Sequence, residues 1–543
     1  MQDPSNPLIV QSDMSVLLEV MNPLFEEARD ALNSFAELQK SPEYMHTYKI
    51  TPLSLWNAAG IGITAEMVIQ SLCKYAKHEI PEIVATTIHD YGKRYGKIRL
   101  IEEDGSLYLD CADDNILAEA RSALKSPAGE RIKISQAFRG EAKQILLKIG
   151  YPVMDLAGYS ESAPFQIPLS SHLHLRWYQI EAADAFHAGG SVTGGSGVIV
   201  LPCGAGKTVV GMTVMEKVNA EVLILTTGVT ALRQWRDELL DKTLLRPEDI
   251  GEYSGEVKEI KPVTITTYQT LTQRRDKDSP FIHFEIFNKR NWGLIIYDEV
   301  HMLPAPVFRV TSEIQSKRRL GLTATLVRED GLETDVFSLI GSKKYDLPWK
   351  SLEKAGYIAE AFCTEIRVAL SPEKRYEYAV AEKRNKFRIA AENENKLKVL
   401  FSLLEKHKDD NVLIIGQYID QVKHISKELN VPLIVGSTKN RERERIYAAF
   451  KCGELKTIVV SKVANFAIDL PDANVAIEVS GAFGSRQEEA QRLGRVLRPK
   501  SGDNRAWFYA IVSEDTTEMD FSAKRQMFLT EQGYKYAIDR YEV

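Results

Sequence analysis

The stretch GVIVLPCGAGKT, residues 197–208, decides the fold. Its first half, Gly197-Val-Ile-Val-Leu201, is a short apolar run of the kind that forms a buried parallel strand. Its second half ends in Gly206-Lys207-Thr208, like a phosphate-binding loop. The full pattern G-x-x-x-x-G-K-[ST] has glycine where this chain has Leu201. A helical run follows, Thr208-Val-Val-Gly-Met-Thr-Val-Met-Glu-Lys217. Strand, glycine turn and helix together point backbone N–H groups and a helix N-terminus at an anion. Gly204 and Gly206 permit close backbone approach, with Ala205 between them. Lys207 would reach the β- and γ-phosphates of ATP, and the Thr208 hydroxyl would sit on Mg²⁺. Taken alone, the same pattern also suits a strand–turn–helix junction that binds nothing.

Working outward, the pattern repeats. EVLILTT (221–227), PVTITTY (262–268) and WGLIIYDE (292–299) are further apolar runs, most of them separated by helical stretches. A second set starts near 411, with NVLIIGQY, VPLIVG, TIVVSK, VAIEVS and AWFYAIVS. This alternation predicts an α/β protein with two tandem parallel-sheet lobes, 171–350 and 351–543. Residues 372–396 are charged and helical in pattern. Residues 1–95 are expected to be mostly helical. Residues 96–170 are expected to be a small α+β module, built on two strands around the Asp104-Gly105 turn.

Bulk properties set bounds. A chain of 543 residues needs several cores. No apolar run of about 18 residues appears, which predicts no membrane span. The opening MQDPSNPLIVQSD lacks the basic and apolar regions of a signal peptide. The five cysteines include no CxxC pair, so neither a zinc site nor a disulfide framework is indicated, and a cytoplasmic setting is expected. A net charge of −6 decides nothing about nucleic acid, because a groove can be locally basic on an acidic protein.

Other motifs add chemistry. Asp298-Glu299-Val300-His301 closes the strand GLIIYDE. Asp298 can supply a carboxylate to the metal, and Glu299 can orient or deprotonate the attacking water. A solvated acidic turn is the plainer reading of the pair by itself. His301 can link this site to Thr323-Ala324-Thr325, itself readable as an ordinary turn. Leu175-Arg176-Trp177-Tyr178-Gln179 precedes the loop. Its Gln179 can read an adenine edge, or simply open an amphipathic helix. On a helix, Gln487, Gln491, Arg495 and Arg498 share one face, which suits a polyphosphate as well as a solvated basic surface.

In order, these residues resemble the ATP-dependent helicases of superfamily 2. The likeness covers about 172–543: Gln179, GAGKT, TTGVTALRQW (226–235), TTYQTL (266–271), DEVH, TAT, VVSKVANFAIDLPDAN (459–474) and QRLGRVLR. DEVHMLPAPVFR (298–309) and GLTATLVRED (321–330) narrow it to the XPB group of DNA-repair and transcription helicases, of bacterial or archaeal type. Arg328-Glu329-Asp330 is similar to that group's RED motif, implicated in opening duplexes. Residues 372–396 lie where the group carries a thumb-like insertion, and 96–170 where it carries a damage-recognition-like domain. His301 replaces the last aspartate of the DEAD-box branch, which argues against an RNA-specific enzyme.

The resemblance implies two RecA-like lobes and an ATP-dependent 3′→5′ DNA helicase or translocase serving nucleotide excision or transcription-linked repair. Lys207, Asp298, Glu299, Arg495 and Arg498 would be catalytic. Arg176, Gln179, Gln491 and Asp469 would join the loop in holding nucleotide. Thr227, Arg233, Thr267, Gln269, Gly416, Ser461 and Lys462 would meet single-stranded DNA near a duplex junction. A nuclease or repair complex is an expected partner, and the nucleoid the expected place. The alternative is an ATP-gated scaffold that remodels protein–DNA complexes with little strand separation.

Overall fold

The computed structural model describes residues 3–127, 131–276, 279, 281–326, 331–461, 473–481, 494, 504–534 and 536–542. The chain divides into two compact units, with the main break between Leu347 and Pro348.

The first unit is centred on a seven-stranded parallel sheet. Eight shorter strands precede it in the chain. Strands β1 (Leu8–Val10), β2 (Ser15–Glu19), β3 (Glu37–Lys40) and β4 (Met45–Lys49) form one sheet in the order β1-β2-β4-β3. The expectation of a mostly helical segment over 1–95 does not include this sheet, although four helices hold most of the regular structure there. The strands are only three to five residues long, so their alternation is brief; Val16 and Leu18 point inward while Ser15 and Leu17 do not. Helices Phe25–Asn33, Pro52–Gly60, Ala65–Tyr75 and Glu82–Arg94 supply the rest. Thr51 caps the second by accepting from Ser54 N–H at 3.0 Å, and Thr64 caps the third.

Strands β5 (Ile98–Glu103), β6 (Ser106–Asp110), β7 (Ile132–Ile134) and β8 (Val153–Asp155) form the small module in the order β7-β6-β5-β8. Asp104 and Gly105 both have positive φ, 50° and 70°, as a tight hairpin turn requires. Helix Arg139–Lys148 packs this module on the neighbouring lobe. Gly140 lies so close to Ser312 that a Cβ would stand 2.4 Å from its carbonyl oxygen. The Gln144 amide donates to Asp335 at 2.9 Å.

The lobe sheet contains β9 (Ser196–Val200), β10 (Val222–Thr226), β11 (Ile250–Tyr253), β12 (Val263–Thr267), β13 (Leu294–Asp298), β14 (Arg318–Thr323) and β15 (Lys343–Asp346). Its order is β11-β12-β10-β13-β14-β9-β15, and every pairing is parallel. The apolar runs became strands because both sheet faces are covered. Val198, Leu223, Ile295 and Tyr297 are fully buried with Trp292 in one core. Each such side chain contributes about 1.5–3 kcal/mol by leaving water.

The second unit repeats the plan. It holds β16 (Glu360–Val368), β17 (Val412–Gly416), β18 (Leu433–Ile434), β19 (Thr457–Ser461), β20 (Val475–Glu478), β21 (Arg505–Ser513) and β22 (Tyr536–Tyr541), in the order β18-β19-β17-β20-β21-β16-β22 and also parallel. The charged stretch 372–396 folds as helices Pro372–Val380 and Lys383–Ala391, followed by Asn395–Lys406. Among the described residues, no helix is long and apolar enough to cross a membrane. The protein is therefore α/β, with two RecA-like parallel-sheet lobes.

Candidate nucleotide site

The C-terminal ends of the first lobe's strands gather the motif residues along one edge, the usual ligand edge of a parallel sheet. Val200, the last residue of β9, is level with Thr323 on β14, and Leu322 with Asp298 on β13. Leu201 extends β9 by one residue: it is fully buried, and its N–H still donates to Thr323 O at 3.0 Å. The leucine in place of glycine is thus a core residue that aims the loop. Gly204 and Gly206 both adopt φ +80°, in the left-handed region. Gly206 has a second constraint, because a Cβ there would stand 2.6 Å from Gln179 Nε2. It caps helix Lys207–Val218, whose first N–H groups have no acceptor within the helix and point toward the loop's anion-binding end.

Gln179 is 4% exposed and accepts from Arg176 N–H at 2.9 Å through Oε1. Its amide therefore packs on the loop from the first turn of helix Trp177–His187, which Arg176 caps. The structure thereby brings Arg176 and Gln179 beside Gly206.

The acid pair lies next to the lysine. Lys207 Nζ is 3.2 Å from Glu299 Oε1. Glu299 has φ +51°, an uncommon setting for a non-glycine residue, and that turns its carboxylate toward Lys207. Asp298 Oδ2 accepts from Trp235 Nε1–H at 2.9 Å, and the Asp298 carbonyl accepts from Tyr268 O–H at 2.9 Å. His301 Nδ1 is 2.7 Å from Thr323 Oγ1 and 3.4 Å from Glu299 Oε2. Thr323 Oγ1 donates to Thr325 O at 2.5 Å and accepts from Thr325 N–H. That leaves His301 Nδ1 as donor, so a single hydroxyl joins the DEVH and TAT segments.

The two carboxyls differ in proton affinity. Burial, reinforced by the neighbouring Glu299 charge, pushes Asp298 up to about 6. Burial also raises Glu299, but the Lys207 ammonium and His301 outweigh it and hold Glu299 below the usual carboxylate range. Glu299 is the anion poised for chemistry. A divalent cation beside Asp298 would favour its ionised form. Among the described residues no group of three or more His, Cys, Asp or Glu is arranged to hold a metal ion. Asp298 and the half-buried Thr208 are the oxygen groups here that could hold a Mg²⁺ carried on ATP phosphates.

The nucleic-acid candidates of this lobe share the same edge. Thr226 on β10 is level with Thr267 on β12, so Thr227, Thr267 and Gln269 lie side by side just beyond these strands. Gln269 and Arg233 are exposed, and Thr227 is half-buried. Thr267 differs from expectation: it is 1% exposed, and its hydroxyl accepts from Thr270 N–H at 3.0 Å as a helix cap. In the second lobe, Gly416 and Ser461 end β17 and β19 in register. A Cβ on Gly416 would lie 2.5 Å from Val422 Cγ1. Ser461 Oγ is buried with no partner among the described residues. Arg328, Glu329, Asp330, Lys462, Asp469, Gln491, Arg495 and Arg498 lie outside the described residues. Sequence reasoning missed Trp235, Tyr268 and Gly211 as supports of the site. Trp235 sits inside a quoted motif, but its partner is 63 positions away.

Known proteins match along the whole chain. Residues 352–541 match the family model described as ERCC3/RAD25/XPB C-terminal helicase. Residues 172–328 match the type III restriction enzyme res subunit, and 8–133 a helicase conserved C-terminal domain. The "DNA 3'-5' helicase XPB" of Mycobacterium tuberculosis is 51% identical, over 98% of this chain and 97% of its own. Its namesake in Kineococcus radiotolerans is 50% identical, over 98% and 96%. Among solved structures, a putative HsdR subunit of a type I restriction enzyme from Vibrio vulnificus aligns with TM-score 0.50 and 17% identity, over 68% of each chain, a likeness of fold. With half its residues identical to theirs across nearly their full length, the chain belongs to the XPB family of DNA helicases.

Proposed function

We propose that this chain is an ATP-dependent 3′→5′ DNA helicase or translocase that opens duplex DNA in nucleotide excision or transcription-linked repair. The observation that carries the reading is the joined set Lys207, Glu299 and Asp298 at the strand ends beside the phosphate loop. The loop's N–H groups and Lys207 bind the β- and γ-phosphates, so Lys207 leaves Glu299 when nucleotide arrives. Glu299, released, positions water and accepts its proton. Thr208 and Asp298 would hold Mg²⁺, which would supply positive charge against that developing on the phosphates. Gln179 reads the base, and Arg495 and Arg498 stabilise charge on the γ-phosphate, with Gln491 and Asp469 as further nucleotide contacts.

Single-stranded DNA is gripped through its backbone, which gives affinity without sequence reading. Gln269, Arg233 and Thr227 offer side chains to solvent at the right edge of the first lobe. Gly416, Ser461 and Lys462 take that part in the second. Arg328, Glu329 and Asp330 act at the duplex junction. The expected setting is the cytoplasm, at the nucleoid, with a nuclease or repair complex as partner.

Two measurements test this. Lys207→Ala should lose DNA-stimulated ATP turnover by at least about a hundredfold, since a charged contact to the reacting phosphate is removed. Near-normal turnover would refute the nucleotide site. A 3′-tailed duplex should be displaced in the presence of ATP. DNA-stimulated hydrolysis without displacement would instead support a scaffold that remodels protein–DNA complexes.

A further inference from the structure

Where the small module meets the first lobe, a cavity of about 120 Å³ lies between β8, β9, β15 and helices Arg139–Lys148 and Glu333–Leu339. Its lining includes none of the residues assigned above to nucleotide or nucleic acid. The charges around it do not balance. Arg139, Lys143 and Arg319 are 2%, 6% and 1% exposed. Asp155 is the only carboxylate among the described residues that line the cavity. Arg139 takes both Asp155 oxygens, at 2.9 and 2.7 Å, and also donates to Gly158 O. Lys143 Nζ has Asp155 Oδ2 at 3.1 Å, which satisfies one of its three N–H bonds; the other two have no acceptor among the described residues. Arg319 faces the same group but is spent on neutral acceptors: Leu339 O, Gln315 O, Lys317 O and Ser196 Oγ. Lys344 lines the rim and donates to Thr193 O at 3.0 Å.

Three buried cations thus share one anion. An unbalanced buried charge is costly unless a counter-ion or neutralisation relieves it. The strain shows in Lys143, which burial and its cationic neighbours push down to about 7 against the pull of Asp155. The space is polar, walled by the hydroxyls of Tyr95 and Tyr159 as well as the ammonium groups, and much larger than one water needs. A tetrahedral oxyanion supplies what is missing: negative charge and several acceptor oxygens in a compact shape.

We propose that this cavity binds a small oxyanion of the phosphate class on Lys143, with Lys344 at its mouth, and that the occupant fastens the small module to the first lobe. Two sources offer this chemistry, free inorganic phosphate and the terminal phosphate of a nucleic acid. The full chain carrying Lys207→Ala serves as the test protein, because the phosphate loop is itself an anion site; a failure here leaves the nucleotide reading standing. Inorganic phosphate, at ionic strength matched with chloride, should raise its melting temperature saturably. Lys143→Met in that background should weaken the apparent affinity roughly tenfold or more, the loss of one charge-assisted hydrogen bond, and Lys344→Met by less. If a 5′-phosphorylated oligonucleotide gives the Lys143-dependent shift and phosphate does not, the source is nucleic acid. In crystals of the unsubstituted chain soaked in arsenate, an anomalous peak should stand beside Lys143 Nζ, an observation that does not depend on any variant folding. No peak there, together with no Lys143-dependent stabilisation by either ligand, overturns the proposal.

Discussion

Gly211→Ala is a small change whose sign the sequence and the structure predict oppositely. Gly211 sits inside helix Lys207–Val218, where alanine should gain about 0.5–1 kcal/mol from helix propensity. In the folded lobe, however, a Cβ at Gly211 would stand 2.6 Å from Trp235 Cη2 and 3.4 Å from Leu322 Cδ1. Trp235 is 2% exposed and has no free space to retreat into without rotating its ring. Rotation breaks the 2.9 Å bond from its indole N–H to Asp298. Overpacking costs about 1–3 kcal/mol, and a hydrogen bond to a charged group about 1.5–3 kcal/mol. The losses exceed the gain by about 1.5–5.5 kcal/mol.

The expected outcome is a melting temperature lower by about 3–22 °C, using the roughly 2–4 °C per kcal/mol typical of a domain this size. ATP turnover should fall at least about tenfold, because the Asp298 carboxylate loses its fixed orientation. Circular-dichroism melting and DNA-stimulated ATP hydrolysis read the two effects. Adding Trp235→Phe, which removes the clashing ring atoms, should restore most of the melting temperature. It should not restore turnover, because the indole N–H is gone too. A Gly211→Ala protein that melts above the parent and hydrolyses ATP normally would show that the Trp235 contact does not govern the site.

Three further expectations concern charge and capping. Asp155→Asn should destabilise the first unit by about 3–5 kcal/mol, seen as a lower melting temperature, because Arg139, Lys143 and Arg319 then have no carboxylate. Lys143 predicts a pH effect. Its folded-state value is near 7 against 10.5 for an ordinary lysine, so the burial cost is present in full below pH 7 and is relieved as pH rises toward 10.5. The parent should therefore gain stability over Lys143→Met between pH 7 and 9, by up to about 1.4 kcal/mol per pH unit; denaturant midpoints across that range check it. Thr267→Val should cost about 1 kcal/mol as a lost cap while single-stranded DNA affinity, measured by fluorescence anisotropy, stays within about twofold.

Much of the nucleotide site was legible in the chain because its parts are contiguous. A five-residue strand ending in Val198-Ile199-Val200, two glycines and Lys207-Thr208 fix the loop's shape through backbone geometry alone. The same holds for Leu294–Asp298, whose apolar run delivers two acids to the sheet edge. The strands missed by the reading were those without such a run. β14 carries buried Arg319, and β11 and β15 are edge strands of four residues. At the N-terminus, β1 to β4 are too short for alternation to stand out against the helices between and after them.

What stayed hidden depends on distance in the chain rather than on weak chemistry. Gly211, Trp235 and Asp298 are three unremarkable residues on two helices and a strand. Only the packing of helix Lys207–Val218 against helix Val229–Lys242 and β13 makes them one device. The same is true of Arg139, Lys143, Asp155 and Arg319, which a sequence shows as ordinary surface charges and the fold buries together. The two cases differ in what they ask of a partner. At Asp298 the unbalanced charge is negative, and the fold answers it with the Trp235 N–H and with Lys207, which pairs with the neighbouring Glu299. At Lys143 the imbalance is positive and the fold supplies one carboxylate for three cations. A family of enzymes that hydrolyse ATP must tolerate the first imbalance, because the reaction uses it. The second has no use in that reaction, and a cost of this size persists most readily where something binds to relieve it.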